Sequence, residues 1–211
     1  MKTIKTINTV FCFILFTLFI ISSFAFNVQE LTTAGNNLIA HAAYDPLTII
    51  ANITLGKQPY CIAINHATNR VYVGVEGGLM VINGEIDQVI VEIPLGDDVK
   101  ALAVNPLTNR IYAGKYGGSV IVIDGATNLK IGEILSSIYN TRELAVNPVT
   151  NLVYIADWTV WVGVADTIQV YNGENFELVT SVDLGVAVYS ERVGVAVNPN
   201  TNKVYATWTV N

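Results

Sequence analysis

From Leu38 to Asn211 the chain is a succession of short runs of Val, Ile, Leu and Tyr, each closed by Asn, Asp, Gly or Pro. β-branched and aromatic residues suit a pleated, half-buried surface, and turn signals return about every eight to twelve residues, which leaves no room for helices. The pattern therefore predicts an all-β chain of hairpins. The runs are not independent of one another. Ile62-Ala-Ile-Asn-His-Ala-Thr-Asn-Arg-Val-Tyr72, Leu102-Ala-Val-Asn-Pro-Leu-Thr-Asn-Arg-Ile-Tyr112, Leu144-Ala-Val-Asn-Pro-Val-Thr-Asn-Leu-Val-Tyr154 and Val195-Ala-Val-Asn-Pro-Asn-Thr-Asn-Lys-Val-Tyr205 are versions of one phrase, starting 40, 42 and 51 residues apart.

A second phrase runs between these copies: Val81-Ile-Asn-Gly84, Val122-Ile-Asp-Gly125 and Val170-Tyr-Asn-Gly173, each leading to a strand that ends Ile93-Pro-Leu-Gly96, Ile134-Leu-Ser-Ser137 or Val182-Asp-Leu-Gly185. Each unit thus reads as four strands. In the first turn, Asn105 can bond the backbone ahead of it, Pro106 presets φ, and Asn109 tolerates a left-handed conformation. Runs such as Val120-Ile-Val-Ile123 and Val89-Ile-Val91 carry apolar side chains on both faces, which predicts strands buried from both sides. A unit of about forty residues with this content is the spacing of propeller blades; a β-sandwich does not explain the fixed period.

The phrases Ala-Val-Asn-Pro-x-Thr-Asn-x-Val-Tyr and Val122-Ile-Asp-Gly-Ala-Thr-Asn128 resemble the YVTN family of β-propeller repeats, over roughly Leu38 to Asn211. The resemblance implies blades of four antiparallel strands in an exported or surface-layer protein of archaea or bacteria. Relatives of the repeat class include periplasmic proteins, lactonase-like enzymes and propellers akin to the haem d1 domain and quinoprotein amine dehydrogenases, so fold alone does not choose an activity. Family propellers usually have about seven blades, and this sequence supplies fewer. The expectation is a half blade at 38–56, blades at 61–99, 101–141 and 144–184, and a half blade at 194–211, making about four blades of an incomplete, open propeller or a fragment of a larger one. An oligomer completing the ring and a closed four-blade form are the alternatives.

The N-terminal segment reads differently. Lys2 and Lys5 precede the apolar run Val10 to Ile21, and Ser22-Ser-Phe-Ala25 supplies small residues, the order of a secretory signal cleaved before Phe26. An uncleaved anchor is the rival, since Thr9 to Phe26 approaches the length needed to span a bilayer. Cys12 lacks the small residues of a lipoprotein signal before it. Residues 26–37 form a linker. The expected location is secreted, periplasmic or cell-surface, with membrane contact only through this segment if it is retained.

Charge and chemistry narrow the function further. The 211 residues carry 11 Lys+Arg against 17 Asp+Glu, a formal charge of −6 that becomes −8 once Lys2 and Lys5 are removed. Such a balance speaks against nucleic acid, whose binding depends on cations neutralising phosphates. A content of 52% hydrophobic and 13% charged residues excludes a disordered chain. Cys61 alone remains after export, so no internal disulfide can form. His41 and His66 are the only histidines, and His66 falls in a turn, so haem or copper ligation has no support and no cofactor is expected. Asp157, Asp166 and Glu191 are weak Ca²⁺ candidates, since hard cations need only oxygen ligands. Asn52-Ile-Thr54 matches a glycosylation acceptor, but it also reads as ordinary strand sequence. Glu76-Gly-Gly78 and Tyr116-Gly-Gly118 recur at the second hairpin and read as turns rather than a phosphate loop.

Length variation concentrates at one end of the blades. From the Tyr to the turn Gly the units measure 12, 13 and 19 residues, and the links into successive units measure 7, 7, 9 and 11. Both connection types lie on the same side of a propeller, where repeat proteins carry binding insertions. The extra residues include Trp158, Trp161, Tyr139, Arg142, Tyr189 and Arg192, types enriched at binding hot spots. These six are the candidate site for a protein or surface-glycan partner; the competing reading packs the Trp rings between blades and pairs each Arg with its neighbouring Glu. Catalytic residues are not identified. A noncatalytic binding or scaffold module is the expected class, with a propeller enzyme whose ligands lie outside this chain as the alternative. Open blade edges also allow self-association.

Overall fold

The computed structural model describes residues 37–41, 49–136, 141–157, 165–186 and 194–207. Every element among them is a β-strand. The chain divides into two compact units, Met1–Gly56 and Lys57–Asn211. The first unit holds one antiparallel pair, β1 (Asn37–His41) and β2 (Ile49–Thr54), with a bulge between Ala40 and His41.

The second unit contains three four-stranded antiparallel sheets, each a meander in chain order. The first blade is β3 (Pro59–Asn65), β4 (Arg70–Val75), β5 (Gly78–Asn83) and β6 (Gln88–Pro94). The second is β7 (Val99–Asn105), β8 (Arg110–Lys115), β9 (Ser119–Asp124) and β10 (Leu129–Leu135). The third is β11 (Thr141–Asn147), β12 (Leu152–Asp157), β13 (Ala165–Asn172) and β14 (Leu178–Val186), followed by the pair β15 (Gly194–Asn198) and β16 (Lys203–Thr207). The first strands β3, β7, β11 and β15 lie side by side in succession, so they form the inner edge about which the blades stack. This unit is an open β-propeller segment whose sheets do not close among the described residues.

Apolar clusters fill each gap between blades. Tyr72, Leu79 and Val81 of the first blade meet Ile111, Ala113, Ile121 and Ile123 of the second. Tyr112, Val120 and Val122 then meet Leu144, Val153 and Ile155 of the third, and Tyr154 and Val170 meet Val195. The Tyr of the repeated phrase is therefore a residue that each of the three four-stranded blades lends to the next joint, beside aliphatic residues of its third strand.

Burial from both sides holds for Val120–Ile123, all at most 3% exposed, but not for Val89 and Ile90, at 36% and 41%. The difference follows from radial geometry. Sheets that fan out from a common axis are closest at their inner strands and diverge at the fourth, so β6 and β10 keep mainly Ile93 and Ile134 in the core.

The repeated asparagines hold the other end of each joint. Asn65, Asn105 and Asn147 are buried, and their Oδ1 atoms accept from the backbone N–H groups of Ala67, Leu107 and Val149 at 3.0 Å. The second Asn of each turn adopts a left-handed conformation, with φ of 50° at Asn69, 54° at Asn109, 55° at Asn151 and 54° at Asn202. The Nδ2 of the first Asn then reaches into the following blade. Asn65 donates to Oδ1 of Asn109 at 2.8 Å, Asn105 to Asn151 at 2.8 Å, and Asn147 to Asn202 at 3.1 Å.

The turn glycines belong to this device. The N–H groups of Gly84, Gly125 and Gly173 donate to the carbonyls of Asn69, Asn109 and Asn151 at 3.0, 2.8 and 2.8 Å. A Cβ on any of the three would stand 2.4–2.6 Å from the same Asn Oδ1, so a side chain there would displace the acceptor.

Candidate functional site

The connections from second to third strand and from fourth strand to the next blade are bonded to each other at the opposite end from the Asn turns. Glu76 N–H donates to Gln58 O at 3.0 Å, Leu95 N–H to Gly77 O at 3.0 Å, and Tyr116 N–H to Asp98 O at 2.9 Å. The Ser136 hydroxyl donates to Gly118 O, as does the Thr141 hydroxyl at 3.2 Å.

Each complete blade enters its inner strand through a β-bulge at this end. The register shifts between Pro59 and Cys61, between Val99 and Ala101, and between Thr141 and Glu143, so the extra residues are Tyr60, Lys100 and Arg142. A bulge frees its extra residue from the ladder and re-aims it. Successive blades thus present a phenol, an ammonium and a guanidinium from equivalent positions. Tyr60 is 40% exposed, and Arg142 faces solvent.

Lys100 sits with Nζ 3.1 Å from the centroid of the Tyr60 ring and 3.0 Å from Asp98 Oδ2. A cation over a phenol face gains from the ring quadrupole while keeping part of its charge directed outward. Asp98 is tied down from several sides: Gly77 N–H donates to Oδ1 at 3.1 Å, and the Tyr60 hydroxyl donates to the carboxylate. The Lys100 bond is the largest of the influences that hold the Asp98 carboxyl below its ordinary range. Beside this group, desolvation raises the Glu143 carboxyl. The end of the unit therefore combines a fixed carboxylate, two cations and an aromatic ring, a set able to recognise anionic, hydroxyl-rich or planar groups.

Cys61 lies just beneath. Burial is the main reason its thiol is pushed up to about 12, and Sγ donates weakly to Val99 O at 3.5 Å. The thiolate is the reactive form, so at pH 8 only about one thiol in ten thousand is available at this pKa. In a Cys12→Ser chain, a thiol reagent such as dithionitrobenzoate is expected to react with native Cys61 at least about a hundredfold more slowly than with the urea-unfolded chain. Equal rates would show that the inner strand opens freely at that point.

Of the six residues expected from sequence, Arg142 stands at the third bulge, while Tyr139, Trp158, Trp161, Tyr189 and Arg192 lie outside the described residues. Asp157 closes β12 opposite Thr141, and Asp166 follows the first residue of β13. Glu191 lies outside the described residues. Among the described residues no three His, Cys, Asp or Glu side chains gather as metal ligands. Asn52 is exposed on β2, paired with Ile39. No helix among the described residues is long and apolar enough to cross a membrane, and residues 1–25 lie outside them. Tyr60, Lys100 and Asp98 escaped the sequence reading, although each bulge residue stands two places before Ile62, Leu102 or Leu144 of the repeated phrase.

No protein-family model and no curated protein matches the sequence. Among solved structures the chain is similar to a hydrazine synthase chain of Kuenenia stuttgartiensis, with a TM-score of 0.73 and 17% identity over 82% of this chain. It spans 49% of that chain, about half its length. At this identity the likeness is one of fold, the β-propeller.

Proposed function

We propose that this chain is a noncatalytic exported propeller of the YVTN repeat type, binding or scaffolding a protein or surface-glycan partner in the periplasm or at the cell surface. The observation that carries the reading is the alignment of the three bulge residues, Tyr60, Lys100 and Arg142, at the end where the connections vary in length. The repeat's own polar groups, Asn65, Asn105 and Asn147, are occupied in joining blades at the far end, so variable chemistry is concentrated where the framework does not need it. In chain order Trp158, Trp161, Tyr139, Tyr189 and Arg192 fall in connections of these same two types, and on the sequence pattern they are assigned to the proposed surface.

A second reading, a propeller enzyme with its ligands outside this chain, draws on the enzyme name of the solved neighbour, of which this chain spans 49%. The two readings separate experimentally. Binding of the purified chain to an array of envelope polysaccharides and to detergent-extracted envelope protein is expected to be saturable. It should weaken at least about tenfold in Lys100→Ala/Arg142→Ala and in Trp158→Ala/Trp161→Ala, with circular dichroism unchanged. Absence of binding to either probe would sink the proposal, and loss of folded structure in the double Trp variant would return those rings to interblade packing.

A further inference from the structure

The asparagine joint occurs three times within the second unit, and one further donor and one further acceptor of the same kind stand without a described partner. Asn198 ends β15 at the position of Asn65, Asn105 and Asn147, and its Oδ1 accepts from Asn200 N–H at 3.0 Å just as theirs do. Its Nδ2 meets no acceptor among the described residues. Asn69, with φ of 50°, occupies the position of the acceptors Asn109, Asn151 and Asn202, and no Asn amide donates to its Oδ1 among the described residues.

The apolar parts of the joint are bare at the same two places. Tyr72, Tyr112 and Tyr154 are at most 8% exposed in the joints they fill, whereas Tyr205 is 55% exposed. Leu102 and Val104 pack into the cluster that contains Tyr72, whereas Ile62 and Ile64, their equivalents on β3, are 50% and 54% exposed. One side of the missing joint is thus Asn198 and Tyr205; the other is Asn69, Ile62 and Ile64. The outer edge of β16 adds an unpaired ladder among the described residues.

We propose that a second copy of this chain supplies the matching side, so that β15–β16 of one copy stacks on β3–β4 of the next, with Asn198 Nδ2 donating to Asn69 Oδ1 and the Tyr205 ring covering Ile62 and Ile64. The choice of occupant rests on the chemistry of the acceptor: a left-handed Asn beside an aliphatic inner strand is what each existing joint uses, and the described residues carry one such surface in excess, matched to their own unused donor. Because the two sides differ, the contact is head-to-tail, and it propagates to a ring or a filament rather than stopping at a two-fold dimer.

Sedimentation of the full chain over a concentration series is expected to show dimers and larger species. Tyr205→Asp and Ile64→Asp, both at exposed positions and so able to fold, each place a carboxylate in the joint and are expected to weaken association at least about tenfold. Each variant spoils only one side. Mixed in equal amounts they retain one intact joint between them, and a dimer that does not grow further should form. A wild-type chain that stays monomeric at about 100 μM, where even a weak joint would be populated, overturns the proposal, as closure within one chain or capping by another segment would both give. Failure of the mixture to dimerise while the wild type associates overturns the head-to-tail pairing.

Discussion

Asn105→Ala is expected to lower stability by about 3 kcal/mol, far more than an ordinary polar-to-alanine change. The side chain is fully buried and serves three partners: Nδ2 donates to Asn151 Oδ1 at 2.8 Å, and Oδ1 accepts from Leu107 N–H at 3.0 Å and Thr108 N–H at 3.4 Å. Alanine leaves these groups without their partner, and each unsatisfied buried group costs about 1–3 kcal/mol, reduced where water or a shift of the turn can reach it. Asn198→Ala is the internal control. Asn198 holds the same place in the repeat and the same turn bond to Asn200 N–H, but has no cross-blade acceptor among the described residues of its own chain, so in the dissociated chain its loss should cost about 1 kcal/mol or less. Urea unfolding followed by circular dichroism measures both. Because blades stack like a one-dimensional array, cutting the joint between the second and third should also lower the cooperativity of the transition. Equal costs for the two variants would mean that the interblade amide bond contributes nothing.

That joint marks the limit of what the sequence discloses. Hairpins, their order and the Asn turn follow from local patterns: Asn105 folding back onto Leu107 N–H and left-handed Asn109 are consequences of residues within one turn. The partners of Asn65, Asn105 and Asn147 lie 44, 46 and 55 residues away, and no local rule says that one repeated Asn donates to the next. The stacking distance that brings them together is a property of the assembled blades. Burial failed at Val89 and Ile90 for a related reason, since hydropathy gives the two faces of a strand but not its distance from the axis.

The candidate site divides in the same way. Arg142 was visible because it lies in a link of unusual length, whereas Tyr60 and Lys100 lie in links of ordinary length, and the three residue types differ. Only the ladder shows that all three are bulge residues, and only contact shows Lys100 seated on Tyr60. Composition draws attention to residue types; the shift in register supplies their common position.

Gly74→Val should be as damaging as the loss of Asn105, about 3 kcal/mol, though it removes no interaction. Gly74 does not have a positive φ, so its need for glycine is one of space rather than backbone conformation. A Cβ there would stand 2.4 Å from Cys61 Sγ, 2.6 Å from Val99 O and 2.8 Å from Val99 Cγ1. Cys61 is the ladder partner of Gly74 in the same blade, while Val99 begins the inner strand of the next, so the added carbons would wedge two blades apart at the bulge end. Gly114 repeats the arrangement one blade later, where a Cβ would meet Thr141 Cγ2 at 2.5 Å. The source of the damage can be divided by a double-mutant cycle with Cys61→Ala, which clears the sulfur but not the Val99 carbonyl. Since the carbonyl belongs to backbone that cannot turn aside, Cys61→Ala should recover less than half of the lost stability. Full recovery would place the constraint within a single blade, and would show that the approach of the second blade has slack the geometry denies.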